Sequence, residues 1–422
     1  MKRVNDKNML KYRSEALKIA MLSIHSSPIG DLGTQDTGGM SVYVREMAKE
    51  LGKKGHYIDI FTQQNTGGHE PVIHLNDNVR LFRLSGGIHK NIPKSSLYEV
   101  LPKLFDELDS FRIKENISYD IIHSHYWLSG VLGLKLQSSW NVNHLITYHT
   151  IGAVKNLTGS MESASELRLA NEKKLAKHCD RIIVPTQKDQ DYLIQHYDAN
   201  YDNIQIVPCG VDLDHFKPQD KISARRRLTL PVDDPIILYV GRFSPIKGVD
   251  RLLKSLSSIT RFSRTLLVMV GGDGERSPIS QHLKKKAQTF YIQDRVIFAG
   301  RVDQKILPLY YSAADALVVP SYYESFGLVA LEALACGTPV VTTPVGAMED
   351  IVKKGVTGYV ATDLDTQNFA GYIEAILQKQ KENSLSPSII RDSVSEFTWA
   401  RSASLLFETY LSTLENKSKN IL

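Results

Sequence analysis

The chain has only three cysteines among its 422 residues: Cys179, Cys209 and Cys336. They cannot form a paired framework, and they lack metal-ligand spacing. That excludes a stapled secreted domain and points to a reducing, cytoplasmic setting. No apolar run approaches the roughly 20 residues needed to cross a bilayer. Met1 to Lys18 are polar and charged, without the apolar centre of a signal peptide. Charge of one sign is scarce as well: 51 basic residues against 46 acidic ones leave a net +5, too little to suggest nucleic acid as a partner. The run Lys284 to Lys286 leaves room for weak peripheral contact with anionic lipid, although a solvated helix face explains it equally. Low-complexity segments and internal repeats are missing too. No Asp-x-Asp pair stands at a convincing strand end. A required metal is therefore not expected, and Mg²⁺ is at most an accessory.

What remains is ordinary globular composition on a chain too long for one core, which suggests two domains. Short apolar strands alternate with helical spacing throughout. In the first half they are predicted at Lys18 to Ser23, Tyr57 to Thr62, Arg80 to Leu84, Asp120 to Ser124, His144 to Tyr148 and Arg181 to Pro185. In the second half they are predicted at Ile236 to Val240, Leu266 to Val270, Val296 to Phe298, Leu317 to Val319 and Val340 to Thr342. This alternation predicts an α/β protein with two doubly wound parallel sheets. The boundary is expected at Pro208-Cys209-Gly210-Val211-Asp212, giving domains 1–210 and 211–396. A last helix, within 397–422, should start after Thr398 as N-cap and bury Trp399, Ala403, Leu406 and Tyr410 on one face.

The most informative segment is Tyr323-Glu324-Ser325-Phe326-Gly327-Leu328-Val329-Ala330-Leu331-Glu332. The apolar stretch before it reads as a buried strand. Glu324 would then emerge at the carboxyl end of a sheet, where open α/β folds bind ligands, with Glu332 about two turns into the next helix. Between them, the amides of Phe326, Gly327 and Leu328 open a helix and could meet a phosphate. Two acceptors flanking an anion site suit a sugar nucleotide. Taken alone, the pair could equally be a helix cap and a solvated side chain. Gly241-Arg242-Phe243-Ser244-Pro245-Ile246-Lys247-Gly248 follows another buried strand, so Arg242 and Lys247 should share that rim and suit a diphosphate.

Glu324 and Glu332, with Ser325-Phe326-Gly327 after the first, resemble the paired-glutamate motif of retaining glycosyltransferases of the GT-B fold. More narrowly, the chain resembles glycosyltransferase family 4 over nearly its whole length. The likeness is strongest to that family's inositol-phosphate glycosyltransferases and weaker to its sucrose-phosphate synthases. The resemblance implies two Rossmann-like domains facing a central cleft, with the last helix packing back on the first domain. It implies that Glu324 holds hydroxyls of the donor sugar, that Glu332 holds the nucleotide ribose, and that Arg242 and Lys247 hold the diphosphate. Phe326, Gly327 and Leu328 would contribute amides, and Arg301 would lie by the base. Gly39, in Thr34-Gln35-Asp36-Thr37-Gly38-Gly39-Met40, would face the donor phosphate from across the cleft. His149 matches the family histidine near the reacting carbon and joins Glu324 as a catalytic residue. Lys94, Tyr126, Thr150 and Arg168 match positions that bind an acceptor phosphate, and His25 matches that pocket too. Ser41 departs from the pattern, standing where the inositol-phosphate enzymes reach the inositol with asparagine.

The expectation is an enzyme that moves a hexose or N-acetylhexosamine unit from a UDP-sugar to a phosphorylated polyol or sugar. It would need no cofactor and act as a monomer or homodimer. Sucrose-phosphate synthase-like transfer, sugar-nucleotide 2-epimerisation and a silent sugar-nucleotide-binding protein stay open as alternatives.

Overall fold

The computed structural model describes residues 16–30, 38–63, 72–87, 96–159, 163–272, 274 and 276–420, and side chains as far as residue 416. Two α/β lobes pack their sheets so that the carboxyl ends of both line one cleft. The first lobe holds β1 (Lys18–Leu22), β2 (Tyr57–Gln63), β3 (Val72–Asn76), β4 (Val79–Leu84), β5 (Ile121–His125), β6 (Asn143–Thr147), β7 (Arg181–Val184) and β8 (Ile204–Ile206). Their order across the sheet is β3-β4-β2-β1-β5-β6-β7-β8. The second lobe holds β9 (Ile236–Val240), β10 (Leu266–Val270), β11 (Val296–Gly300), β12 (Ala316–Val319), β13 (Val340–Thr342) and β14 (Gly358–Val360). Their order is β11-β10-β9-β12-β13-β14.

Helices cover both faces of each sheet, so β9 and β12 are apolar throughout rather than alternating, and β1 is apolar after Lys18. Ile19 to Leu22, Ile237 to Tyr239 and Ala316 to Val319 are all nearly inaccessible. The predicted strands all appear, with ends shifted by a residue or two. Three further strands, β3, β8 and β14, were not expected from the sequence. β8 and β14 are too short for a period to register, and β3 is a half-buried edge. β3 also runs antiparallel to β4, since only two residues, Asp77 and Asn78, connect them. A hairpin that tight cannot make a parallel pair.

Strand order reverses between β1 and β5 in the first lobe and between β9 and β12 in the second. Such switch points open a crevice at the carboxyl edge. The segments following these four strands carry His25, Tyr126, Arg242 and Glu324.

The crossing between lobes is tight. The Val211 N–H donates to the Phe397 carbonyl at 2.9 Å. A Cβ on Gly210 would lie 2.3 Å from the Trp399 nitrogen, so the two strands of the crossing can touch only with glycine there. The last helix, Trp399–Asn420, begins where the Thr398 hydroxyl accepts from the Arg401 N–H at 3.2 Å. It lies against the first lobe: His123 Nδ1 meets Tyr410 Oη at 2.7 Å, and His56 stacks on Phe407 at 4.4 Å. Trp399, Ala403, Leu406 and Tyr410 are all buried. Among the described residues no helix is long and apolar enough to cross a membrane.

Candidate active site

The interlobe cleft has a volume of about 530 Å³. Its lining includes Gly39, Arg242, Lys247, Arg301, Glu324, Phe326, Gly327, Leu328 and Glu332, together with His25, Tyr126, His149, Thr150 and Arg168. Every sequence-predicted site residue inside the described region therefore faces one space. Lys94 lies outside the described residues, as does Gly38's upstream neighbour Thr37 with the rest of that loop.

On the second lobe, Lys247 donates to both oxygens of Glu324, at 2.7 and 2.8 Å, and Ser321 Oγ donates to Oε1 at 2.8 Å. This contact joins the loops after β9 and β12. A Cβ on Gly248, whose φ is +67°, would lie 2.0 Å from the Pro320 carbonyl. The left-handed glycine thus lets one loop press against the other and seats Lys247 on Glu324. Tyr239 Oη donates to the Arg242 carbonyl at 2.6 Å and fixes that turn beneath the rim. Gly327, at φ +103°, precedes the helix Leu328–Ala335, whose first amides have no side-chain cap.

Glu332 sits deeper, 8% exposed, and accepts from Tyr311 Oη at 2.6 Å. Burial pushes its carboxyl up to about 7, against the opposing pull of that hydroxyl and of Arg45. Arg45 itself reaches across from the first lobe to Gln304 Oε1 at 2.8 Å.

On the first lobe, Arg168 organises a cluster. Its NH1 donates to Tyr126 Oη at 3.1 Å, its NH2 to Thr150 Oγ1 at 2.9 Å, and its Nε to Glu172 Oε1 at 2.7 Å. His25 packs on the Tyr126 ring at 4.1 Å. Glu172 was missed in the sequence, although its i,i+4 spacing from Arg168 on one helix was a usable signal. Its carboxylate also accepts from the Gly152 N–H at 2.8 Å and the Tyr197 O–H at 2.5 Å. Lys155, another cation passed over, lines the same cleft.

Tyr126 (φ +74°) and His149 (φ +59°) both hold left-handed backbone at the ends of adjacent strands. For non-glycine residues this costs energy, and it concentrates at sites where a side chain must be aimed. His149 Nε2 meets His125 Nδ1 at 2.9 Å. Burial holds His149 neutral, its pKa lowered to about 3.

The lobes also bond directly beside Glu324. Ser325 Oγ donates to Asp189 Oδ2 at 3.2 Å, and burial pushes the Asp189 carboxyl up to about 7. Lys188 reaches Glu349 at 2.9 Å and the Pro344 carbonyl at 3.1 Å. Away from the cleft, Lys284 lies over the Phe298 ring and Lys286 pairs with Asp250, so two of the three lysines in that run are engaged by their own lobe. Among the described residues no group of three His, Cys, Asp or Glu side chains is placed to hold a metal ion.

Residues 37–215 match the family profile described as Glycosyltransferase Family 4, and residues 220–387 match that of Glycosyl transferases group 1. The chain is 34% identical over 413 residues to the D-inositol 3-phosphate glycosyltransferase of Geodermatophilus obscurus, covering 94% of this chain and 90% of that one. It is 32% identical over 410 residues to the enzyme of that name in Corynebacterium glutamicum, covering 95% and 98%. The solved sucrose-phosphate synthase of Thermosynechococcus elongatus superposes with a TM-score of 0.86 at 34% identity, covering 93% of this chain and 98% of that one. Anabaena HepE, solved with UDP and glucose, gives a TM-score of 0.72 at 20% identity, covering 93% and 99%, a likeness of fold.

Proposed function

Because this chain belongs to glycosyltransferase family 4 and has the GT-B fold, we propose that it moves a hexose or N-acetylhexosamine unit from a UDP-sugar to a phosphorylated polyol or sugar, with retention. One observation carries this: a Lys247–Glu324 pair beside an uncapped helix N-terminus faces an arginine–hydroxyl cluster across a single cleft. The second-lobe half suits a diphosphate and a sugar; the first-lobe half suits a phosphate monoester. Arg242 and Lys247 would take the charge that grows on the departing diphosphate. Glu324 would hold sugar hydroxyls and Glu332 the ribose. With no nucleophilic side chain assigned, the acceptor hydroxyl would attack on the face the diphosphate leaves, and the leaving phosphate would take its proton. The lobes, already bonded through Asp189 and Ser325, would close over the donor and keep water out. Three buried free thiols suit a cytoplasmic setting. Release of UDP from UDP-sugars, with inositol phosphate or hexose phosphates as acceptors and without them, tests the proposal. Release that no phosphorylated acceptor accelerates would count against transfer.

A hexose phosphate acceptor is the second reading. Ser41 Oγ is bonded to Ser26 Oγ at 2.8 Å and is fully buried, so it cannot reach an acceptor ring as a longer asparagine would. The chain's likeness to a sucrose-phosphate synthase, at 34% identity, is compatible with this reading, as its equal likeness to an inositol-phosphate enzyme is with the first.

The proposed ribose contact predicts a pH dependence. Ribose hydroxyls donate best to an ionised carboxylate, yet free Glu332 takes up a proton as pH falls through about 7. That proton must leave before the ribose can bind. The UDP association constant should therefore fall by up to about tenfold per pH unit below 7 and level off above it. Calorimetry across this range should show the slope in wild type and in the Asp189→Asn control, and a shallower one in Glu332→Gln, left by the terminal phosphate of UDP, whose second pKa is about 6. Equal slopes in wild type and Glu332→Gln would remove Glu332 from the ribose site.

A further inference from the structure

The strands β5 and β6 are parallel neighbours, with His125 opposite Thr147 in register. His125 ends β5, and His149 follows β6 by two residues. The left-handed turn at His149 brings the two rings together, Nδ1 of His125 to Nε2 of His149 at 2.9 Å. Both rings are neutral, because burial lowers each far below the usual imidazole range. One nitrogen of this contact must therefore donate and the other accept.

The surroundings decide which. Nε2 of His125 is buried and has no hydrogen-bond partner. Besides His149, the ring's aromatic neighbours are His123, at 4.3 Å between centroids, and Tyr43, edge-on at 5.8 Å. His123 is committed elsewhere, through Nδ1 to Tyr410 Oη and through Nε2 to Thr147 Oγ1. If His149 donated, His125 would accept at Nδ1 and carry its proton on Nε2, burying an N–H with nothing stronger than a ring face to receive it. If His125 donates, Nε2 carries only a lone pair. Orphaned buried N–H groups are rarer than under-satisfied acceptors, so the second arrangement is favoured. His125 is then the donor and His149 the acceptor, which leaves the proton of His149 on Nδ1, the nitrogen not used in this contact, on a residue that lines the cleft.

We propose that His125 is a positioning residue that sets the tautomer of His149, so that His149 meets the bound ligand as a hydrogen-bond donor through Nδ1–H. The ligand half of this rests on the proposed donor-sugar site. There an N–H would donate to a sugar hydroxyl and hold the ring in place while the anomeric carbon reacts, and it would not act as a base.

Nitrogen-15 NMR of the imidazoles, recorded on the whole chain without substrate, tests the tautomer independently of activity. The His149 signals should show Nδ1 protonated and Nε2 bare in wild type. In His125→Asn the amide N–H occupies the place of Nδ1 and should preserve that pattern. In His125→Leu the pattern should be lost, with kcat for sugar transfer down roughly tenfold, the scale of one hydrogen bond, and donor KM within about twofold. The asparagine variant should recover most of that lost rate. Protonated Nε2 on His149 in wild type would overturn the proposal, as would equal activity losses in both variants. Should wild type bind no sugar nucleotide, the donor-site reading fails, whereas the tautomer assignment is still decided by the spectrum.

Discussion

Glu324→Gln should cut turnover by roughly 10²–10³-fold while UDP binds at least as tightly as to wild type. The first half follows from losing a charge-assisted contact to the sugar in a site that excludes water, worth roughly 2.7–4 kcal/mol, the scale of removing an oxyanion donor. The second half follows from the geometry. In the free protein Lys247 spends its charge on Glu324, with both carboxylate oxygens within 2.8 Å of its nitrogen. A diphosphate arriving at this rim must compete with Glu324 for the same cation. Removing the carboxylate's charge releases Lys247 to the nucleotide and takes away a nearby negative group. Ser321 can still donate to the glutamine oxygen, so the loop should keep its place. Steady-state rates beside calorimetry of UDP would separate the effects. A parallel loss of rate and UDP affinity would mean that Glu324 supports the loop or the nucleotide, and its role toward the sugar would have to be abandoned.

The same pair shows how far the sequence could be followed. Buried apolar stretches ending in Gly241 and Ser321 located both loops, because a central parallel strand leaves a pattern that survives without tertiary information. That Lys247 and Glu324 would touch was not legible. Their contact depends on β9 and β12 being neighbours and on Gly248 admitting the Pro320 carbonyl. Contacts between lobes were still further from view. Asp189 and Ser325 lie 136 residues apart, and Arg45 and Gln304 lie 259 apart. No local propensity encodes either. The Arg168–Glu172 pair was open to view, being one helical turn apart. It was missed because Arg168 was weighed only as a phosphate ligand, whereas its guanidinium is also committed to its own helix.

That commitment shapes the acceptor prediction. An acceptor lacking its phosphate should react about 10²–10⁴ times more slowly in kcat/KM than the phosphorylated one, since the pocket's donors would face nothing and the attacking hydroxyl would lose its anchor. Arg168 should set most of that ratio. It is 6% exposed and already holds Tyr126 and Thr150 in place, so a phosphate would find a preassembled set of donors. Arg168→Ala should bring phosphorylated and plain acceptors to similar low values, with donor hydrolysis largely unchanged. The substitution also strands Glu172, whose side chain has no exposed surface. Breaking a buried pair from one side costs about 3–5 kcal/mol. The Gly152 amide and the Tyr197 hydroxyl still donate to Glu172, which should hold the cost toward the lower end. Thermal unfolding must therefore accompany the kinetics. Tyr126→Phe with Thr150→Val offers a version that keeps the Arg168–Glu172 pair, and it should lower the phosphate preference in part without a comparable fall in Tm. The measurement is kcat/KM for inositol phosphate, fructose 6-phosphate and their unphosphorylated parents in all three proteins. A wild-type enzyme indifferent to the phosphate would leave the cluster a structural brace between helix and strand, and the acceptor would have to be sought elsewhere along the cleft.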